Sequence, residues 1–165
     1  MTPLRVAGLI VIFFFLGSCS HSPSIQSVQG QDISMQSLKG RWILLNYWSS
    51  WSESSLAETK QFDLLSKDLS GVATSLSHNY LLLPHESLSH VVAKLKLQAP
   101  VIKQSLHDYF HLPPVKKIPV TYIINPRGKL VEVISGVHSE QQIKNKLMFL
   151  IRQFDASNHH IKKTV

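Results

Sequence analysis

The run Arg41-Trp42-Ile43-Leu44-Leu45-Asn46-Tyr47-Trp48 is apolar almost without a break. A strand with one wet face alternates apolar and polar side chains; a continuous apolar run belongs to a strand covered on both faces. Such a strand needs neighbouring strands beside it and helices above and below it. The rest of the chain supplies them. Residues 31–38 alternate as an exposed strand does, and Lys39-Gly40 reads as a turn. From Ser52 to about Leu69 the pattern is helical, with Ser52 as N-cap, Glu53 and Glu58 in the first turns, and Phe62, Leu65 and Leu69 repeating at helical spacing before Gly71. A strand is expected over 72–77 and a second helix through Leu88, Val91, Val92 and Leu95. Residues 99–102 read as a short strand and 104–111 as a short helical turn, which Pro113-Pro114 ends. Residues 120–124 and 129–135 form a hairpin about the turn Asn125-Pro126-Arg127-Gly128. Ile143, Leu147, Leu150, Ile151 and Phe154 mark a last helix. This order predicts an α/β sandwich with helices on both faces of a central mixed sheet.

At 165 residues and 44 % hydrophobic composition the chain is sized and composed for one globular domain. Its formal charge is +7, but the basic residues are spread along the chain rather than gathered into a stripe interleaved with aromatics. That excludes nucleic acid as an expected partner and predicts a solvated basic surface with a modest attraction to anionic membranes.

The amino terminus reads as an address. Arg5 precedes the apolar run 6–16, which is too short to span a bilayer as a permanent helix. Leu16-Gly17-Ser18-Cys19 then resembles the bacterial lipobox. The resemblance implies that residues 1–19 are a lipoprotein signal, that Cys19 becomes the lipid-bearing N-terminus, and that Ser20 directs the protein to the outer membrane. Residues 20–27 are polar and read as a flexible tether, 28–154 as the folded domain, and 155–165 as a polar basic tail. Cys19 is the single cysteine, so no intramolecular disulfide can form.

Two blocks carry a resemblance to a known family. Residues 38–51 (Leu-Lys-Gly-Arg-Trp-Ile-Leu-Leu-Asn-Tyr-Trp-Ser-Ser-Trp) and 118–131 (Ile-Pro-Val-Thr-Tyr-Ile-Ile-Asn-Pro-Arg-Gly-Lys-Leu-Val) resemble the envelope-anchored thioredoxin-like proteins, the thiol-disulfide oxidoreductases of cytochrome maturation and their relatives. The resemblance covers about residues 28–152 and implies a thioredoxin-like three-layer sandwich. It also implies a cis-proline at Pro119, facing the active-site surface.

The resemblance breaks where the chemistry lies. The family's Cys-x-x-Cys is Ser52-Glu53-Ser54-Ser55 here. A helix N-terminus contributes roughly 1 kcal/mol to an anion, less than one pKa unit, whereas a serine hydroxyl ionises several units above a thiol. Oxygen, moreover, cannot form the sulfur–sulfur bond that exchange requires. The serines therefore predict a degenerate member, not an enzyme, with no catalytic residue and no cofactor. A hydrolase with Ser52 as nucleophile would need a base that the sequence does not place beside it. His107 and His111 are spaced i, i+4 but lack a third ligand, so no metal site is expected. In the family the position of Trp51 borders the active-site surface. With Ser52, Glu53, Ser54, Ser55, Ile118 and Pro119 it would frame a shallow groove able to hold an extended polypeptide. The resulting expectation is a binding or structural module, lipid-anchored to the membrane and associated with other envelope proteins or polypeptide clients. An accessory of a thiol–disulfide pathway is the alternative, and a hydrolase or metal-dependent enzyme at the same surface is a further one.

Overall fold

The computed structural model describes residues 23–81 and 87–163, with side chains as far as 159. The expected lipoprotein signal and lipobox, including Cys19, lie outside the described residues.

Strand β1 (Ser24–Gln26) pairs antiparallel with β2 (Asp32–Ser34). The chain then makes a 3₁₀ turn, Met35–Leu38, where the alternation predicts a longer strand. Ser34 ends the strand because its hydroxyl caps that turn, accepting from the Gln36 N–H at 3.2 Å. The expected flexible tether is also ordered from Ser24 onward, because the β1–β2 ladder and a bond from Val28 N–H to the Val101 carbonyl hold it to the domain.

The apolar run becomes β3 (Trp42–Ser49), buried at every position. It is followed by α1 (Glu53–Asp68), β4 (Ala73–Leu81), α2 (Leu88–Leu95), β5 (Val120–Ile124), β6 (Leu130–Ser135) and α3 (Glu140–Lys163). The main sheet runs β4-β3-β5-β6, with β3 parallel to β4 and antiparallel to β5, and β5 antiparallel to β6. Sheet and core are thus those expected of β3: a mixed sheet in which the apolar run is central.

The pleat divides β3 between two layers. Trp42 and Leu44 face α1 and α3, where they pack with Phe62, Leu65, Ile143 and Leu147. Ile43, Leu45 and Tyr47 point to the other face, among Leu76, Leu106, Phe110 and Tyr122. That second face is covered by the 3₁₀ turn, β1–β2 and the turns around 105–112 rather than by a long helix. Helix α2 instead packs its Val91 and Val92 beside Trp48, Leu97 and Val101. The last helix continues to Lys163, so the expected polar tail is helical for most of its length. Phe154 anchors this extension by packing edge-on against Trp42 at 5.5 Å, with the Arg127 guanidinium 5.1 Å from its ring centre.

One charged contact ties α1 to the segment after α2. The buried Asp63 carboxylate accepts from the backbone N–H groups of Gln98 and Ala99, both at 2.7 Å. Removing it leaves two inward N–H groups without an acceptor, and charge-assisted bonds of this kind contribute about 1.5–3 kcal/mol each. Asp63→Ala is therefore expected to lower stability by about 3 kcal/mol in urea denaturation, with Asp63→Asn recovering part of the loss.

Candidate active-site surface

The residues that the sequence marks for chemistry gather at one end of the sheet. β3 ends at Ser49, and the register Tyr47 opposite Val120 carries Ile118 and Pro119 to the same end. Ser52 caps α1: its Oγ accepts from the Ser55 N–H at 3.3 Å and shares a 3.0 Å hydrogen bond with Ser54 Oγ. The fit is that of an N-cap serine, with Glu53 in the first turn on the positive end of the helix dipole. Ser54 and Glu53 are exposed, whereas Ser55 is fully buried with its hydroxyl unpaired. The Ile118–Pro119 peptide is cis, and the Pro119 carbonyl accepts from Gly136 N–H at 2.9 Å. Pro119 is buried and Ile118 half-buried, so this loop presents its edge rather than a proline ring to solvent. Trp51 is 49 % exposed.

Two groups beneath this surface do not stand out as site residues in the sequence. Glu58 is fully buried one turn below Ser55. Its Oε1 accepts from Asn46 Nδ2 at 3.1 Å and its Oε2 from the His138 backbone N–H at 3.0 Å. Asn46 Nδ2 also donates to Thr121 Oγ1 at 3.0 Å. Burial raises the Glu58 pKa to about 7, against the opposing pull of the His138 N–H, the His138 charge and the Asn46 amide. His138 itself is held by Nδ1–H donating to the Gly136 carbonyl at 2.8 Å. Helix position alone suggests only a dipole role for Glu58. The readable signal is its place on the buried face: Glu58 falls three after Ser55 and four before Phe62, a carboxylate in an apolar stripe. His138 carries no such signal, because only the return of the β5–β6 hairpin brings it over α1.

A second feature absent from the sequence reading is an apolar rim. Tyr80 and Leu81, at the end of β4 where Ser49 pairs with Leu81, are 52 % and 55 % exposed, and Val137, just beyond β6, is 55 % exposed. Like Trp51 they lie at the end of the sheet that carries the serines, with β4 and β6 at its opposite edges and Tyr80 packed edge-on against Tyr47.

The two alternative chemistries find no geometry here. Ser52 pairs with Ser54 and the Ser55 N–H, and Ser55 Oγ has no partner, so among the described residues neither hydroxyl meets a histidine or a carboxylate. Among the described residues the serine-nucleophile alternative therefore finds no base. His107 bonds Asp108, and His111 lies in a left-handed turn at φ 50°, so the pair does not share a helix face.

The sheet order, the cis-proline loop and the capped helix facing it define a thioredoxin-like α/β fold. In sequence the chain is similar to the thioredoxin-like thiol-disulfide oxidoreductases: it is 26 % identical over 146 residues to thiol-disulfide oxidoreductase ResA of Bacillus subtilis (strain 168), covering 86 % of this chain and 78 % of the relative. Among solved structures it resembles StoA from Bacillus subtilis, with a TM-score of 0.60 and 23 % identity over 74 % of this chain and 93 % of that one. It also resembles the pneumococcal exposed lipoprotein thioredoxin Etrx1 from Streptococcus pneumoniae strain TIGR4, with a TM-score of 0.61 and 20 % identity over 76 % of this chain and 97 % of that one. No protein-family model matches the chain.

These relatives correct the expectation that the chain is not an enzyme. ResA is named as a thiol-disulfide oxidoreductase, so the group the chain resembles is enzymatic. The expectation runs from two missing thiols to the absence of all activity. Serine at 52 and 55 supplies no sulfur, but the helix N-terminus, the cis-proline loop and a buried carboxylate near neutrality are present.

Proposed function

We propose that the protein is an envelope lipoprotein of the thioredoxin-like fold that binds extended polypeptide segments at the surface formed by Trp51, Ser52, Glu53, Ser54 and Ile118, above the buried Ser55 and Pro119. The supporting observation is the rim of exposed Trp51, Tyr80, Leu81 and Val137 at the sheet end that also carries the cis-proline loop. Large exposed apolar side chains at one end of a sheet, beside the polar cap of α1, suit a chain that lays alternate side chains onto them. Likeness to oxidoreductases favours cysteine-bearing polypeptides, and with them a place in a thiol–disulfide pathway. Membership of a larger envelope assembly is part of the same reading.

The envelope location is supported by the lipobox resemblance at Cys19 and by the exposed lipoprotein among the structural neighbours. Among the described residues no helix is long and apolar enough to cross a membrane. Anchoring would then come through lipid on Cys19, and Ser20 favours the outer membrane, facing the periplasm.

The three tryptophans provide the test. Trp42 and Trp48 are buried and Trp51 is half exposed, so a bound segment acts on the emission of Trp51 alone. Titration with a reduced, unfolded polypeptide is expected to shift emission to the blue, and Trp51→Ala to weaken binding by about tenfold, the loss of one aromatic anchor. An unchanged spectrum at millimolar peptide contradicts the reading.

A further inference from the structure

A cleft of about 420 Å³ lies at the far end of β3 from the serines. Leu38 and Lys39, at the end of the 3₁₀ turn, form one wall. Tyr109 and Phe110 form a second, and Pro126 and Arg127 of the β5–β6 turn a third. That turn sits at the start of β3 because Ile43 pairs with Ile124. The serines follow Ser49, at the other end of the eight-residue strand, about 25 Å away. The cleft therefore shares no residue with the polypeptide surface.

Each wall is fixed by its own hydrogen bonds. Lys39 N–H donates to the Gln36 carbonyl at 3.2 Å, and Phe110 N–H to the Leu106 carbonyl at 3.1 Å. Asn125 Oδ1 accepts from the N–H groups of Arg127 and Lys129, both at 3.0 Å. A hollow held in this way needs little ordering when it fills, which favours binding. Its floor is apolar: Leu38 and Phe110 are buried, and the half-exposed Tyr109 ring stands edge-on to Phe110 at 4.8 Å. Its rim is cationic. Among the described residues that line it, Lys39 and Arg127 are charged and none is acidic. Asp108, the acid beside Tyr109, pairs with His107 at 3.1 Å. The Arg127 guanidinium lies 5.1 Å from the Phe154 ring centre and gives one donor to Asn158. A guanidinium carries several more N–H donors, arranged to meet a planar acid group.

We propose that this cleft binds a free small organic acid, with a flat apolar body on Leu38, Tyr109 and Phe110 and a carboxylate between Arg127 and Lys39. The volume lies toward the lower end of the roughly 300–1,000 Å³ of small-molecule sites. That suits a compound of one or two rings better than an extended chain. An apolar floor alone would accept any hydrophobic compound. Paired cations with no acid beside them select the anion among such compounds. Phe154 and Asn158 keep the Arg127 charge in place, so less side-chain freedom is lost when the acid arrives.

Three probes separate the parts of the site. Indole-3-acetate carries ring and charge, indole-3-acetamide the ring alone, and acetate the charge alone. Each is added to the isotope-labelled full chain and followed by amide NMR. Indole-3-acetate is expected to give saturable shifts at Lys39, Tyr109, Phe110, Arg127 and Gly128. The amide should bind at least about tenfold more weakly, the factor of one charge-assisted pair, and acetate should not saturate. Arg127→Gln should bring the acid down to the affinity of the amide. Lys39→Gln, at an exposed turn position, should weaken the acid and spare the amide. Tyr109→Ala should weaken both alike. Equal affinity for acid and amide, or equal weakening of both by the two charge variants, overturns the proposal. Shifts that grow without saturation at exposed lysines throughout the domain mean charge attraction only and overturn it, as does the absence of shifts. Shifts at the same residues that follow protein dilution without any probe overturn it in favour of a second copy. None of these outcomes bears on the polypeptide surface, which is tested through Trp51.

Discussion

A chain carrying Ser52→Cys and Ser55→Cys together is expected to reduce insulin disulfides at least about tenfold faster than the parent chain under dithiothreitol, because it regains the sulfur that exchange requires. Position 52 is the N-cap of α1, where the Ser55 N–H already points at the side-chain oxygen at 3.3 Å. A thiolate there receives both that donor and the helix dipole, the two effects that lower a cysteine pKa at a helix N-terminus. Position 55 is fully buried, so its thiol is sheltered until the mixed disulfide forms. Positions three apart at a helix start lie within the Cα separation a disulfide spans. Single substitutions separate the two roles. Ser52→Cys alone should accumulate mixed disulfides that do not resolve, and Ser55→Cys alone should react slowly with thiol reagents because it is buried. Gain of activity in the double variant would show that the surface has the geometry of exchange and lacks only the sulfur. Reductase activity no higher than the parent's would mean that the loop around Trp51 and Pro119 no longer admits a disulfide.

The second large effect is a fall in stability with rising pH, caused by Glu58. Its carboxyl has an ordinary value of 4.5 in the unfolded chain and about 7 in the folded one. Between those values the folded state binds more protons than the unfolded state, so the slope of unfolding free energy against pH is negative. The contribution is fully present below about pH 4.5 and is lost as pH rises through about 7. A shift of this size corresponds to a loss of about 3 kcal/mol between pH 4.5 and 8. Glu58→Gln removes the titration. It should stabilise the protein by about 2 kcal/mol at pH 8 and by little at pH 5, read from urea midpoints at the two values. The amide can be paired without strain: Asn46 Oδ1 has no partner, so a rotated Asn46 would accept from the new Nε2 while Oε1 still accepts from the His138 N–H. His138 is the charge facing Glu58. His138→Ala should move the midpoint of the pH dependence upward, because it removes a cation that favours the ionised carboxylate. A pH profile unchanged by Glu58→Gln would place the titration elsewhere.

The two effects meet in one small region of the protein. Glu58 lies one turn below Ser55, so a cysteine at 55 would sit next to a carboxyl poised near neutrality. The double-cysteine variant and the pH profile therefore inform one another: Glu58→Gln in the double-cysteine background should change the pH dependence of reduction without abolishing the fold.

The features legible in the sequence are those governed by local chemistry. The apolar run 41–48 calls for a strand buried on both faces, and β3 is that strand, hydrogen-bonded on each side. Ser52 is legible as a cap because its type, its position and the acidic residue after it agree, and its hydroxyl does cap α1. The Asn125-Pro126-Arg127-Gly128 turn is legible for the same reason, with Gly128 at φ 74° where a β-carbon is disfavoured. The features that escape the sequence come from tertiary pairing. Ser24–Gln26 is a strand only because β2 lies against it, and its polar composition resembles a tether. The end of α3 is polar like a tail, but Phe154 on Trp42 and Arg127 on Asn158 dock it. Tyr80, Leu81 and Val137 are scattered along the chain and share one end of the sheet only because β4 and β6 both finish there. The serines, conspicuous between two matching blocks, invite the conclusion that activity is gone. Their surroundings nonetheless include a cis-proline loop and a buried carboxylate.

One claim stands above the others, that the serine end of the sheet is a surface for extended polypeptide. Amide and tryptophan NMR spectra of the isotope-labelled full chain, recorded while a reduced unfolded polypeptide is added, test it most directly. Shifts are expected to gather on Trp51, Ser54, Tyr80, Leu81, Val120 and Val137, with the Lys39 and Arg127 end unmoved. Shifts gathered at the Lys39–Arg127 cleft instead, or no saturable shifts at all, would contradict it.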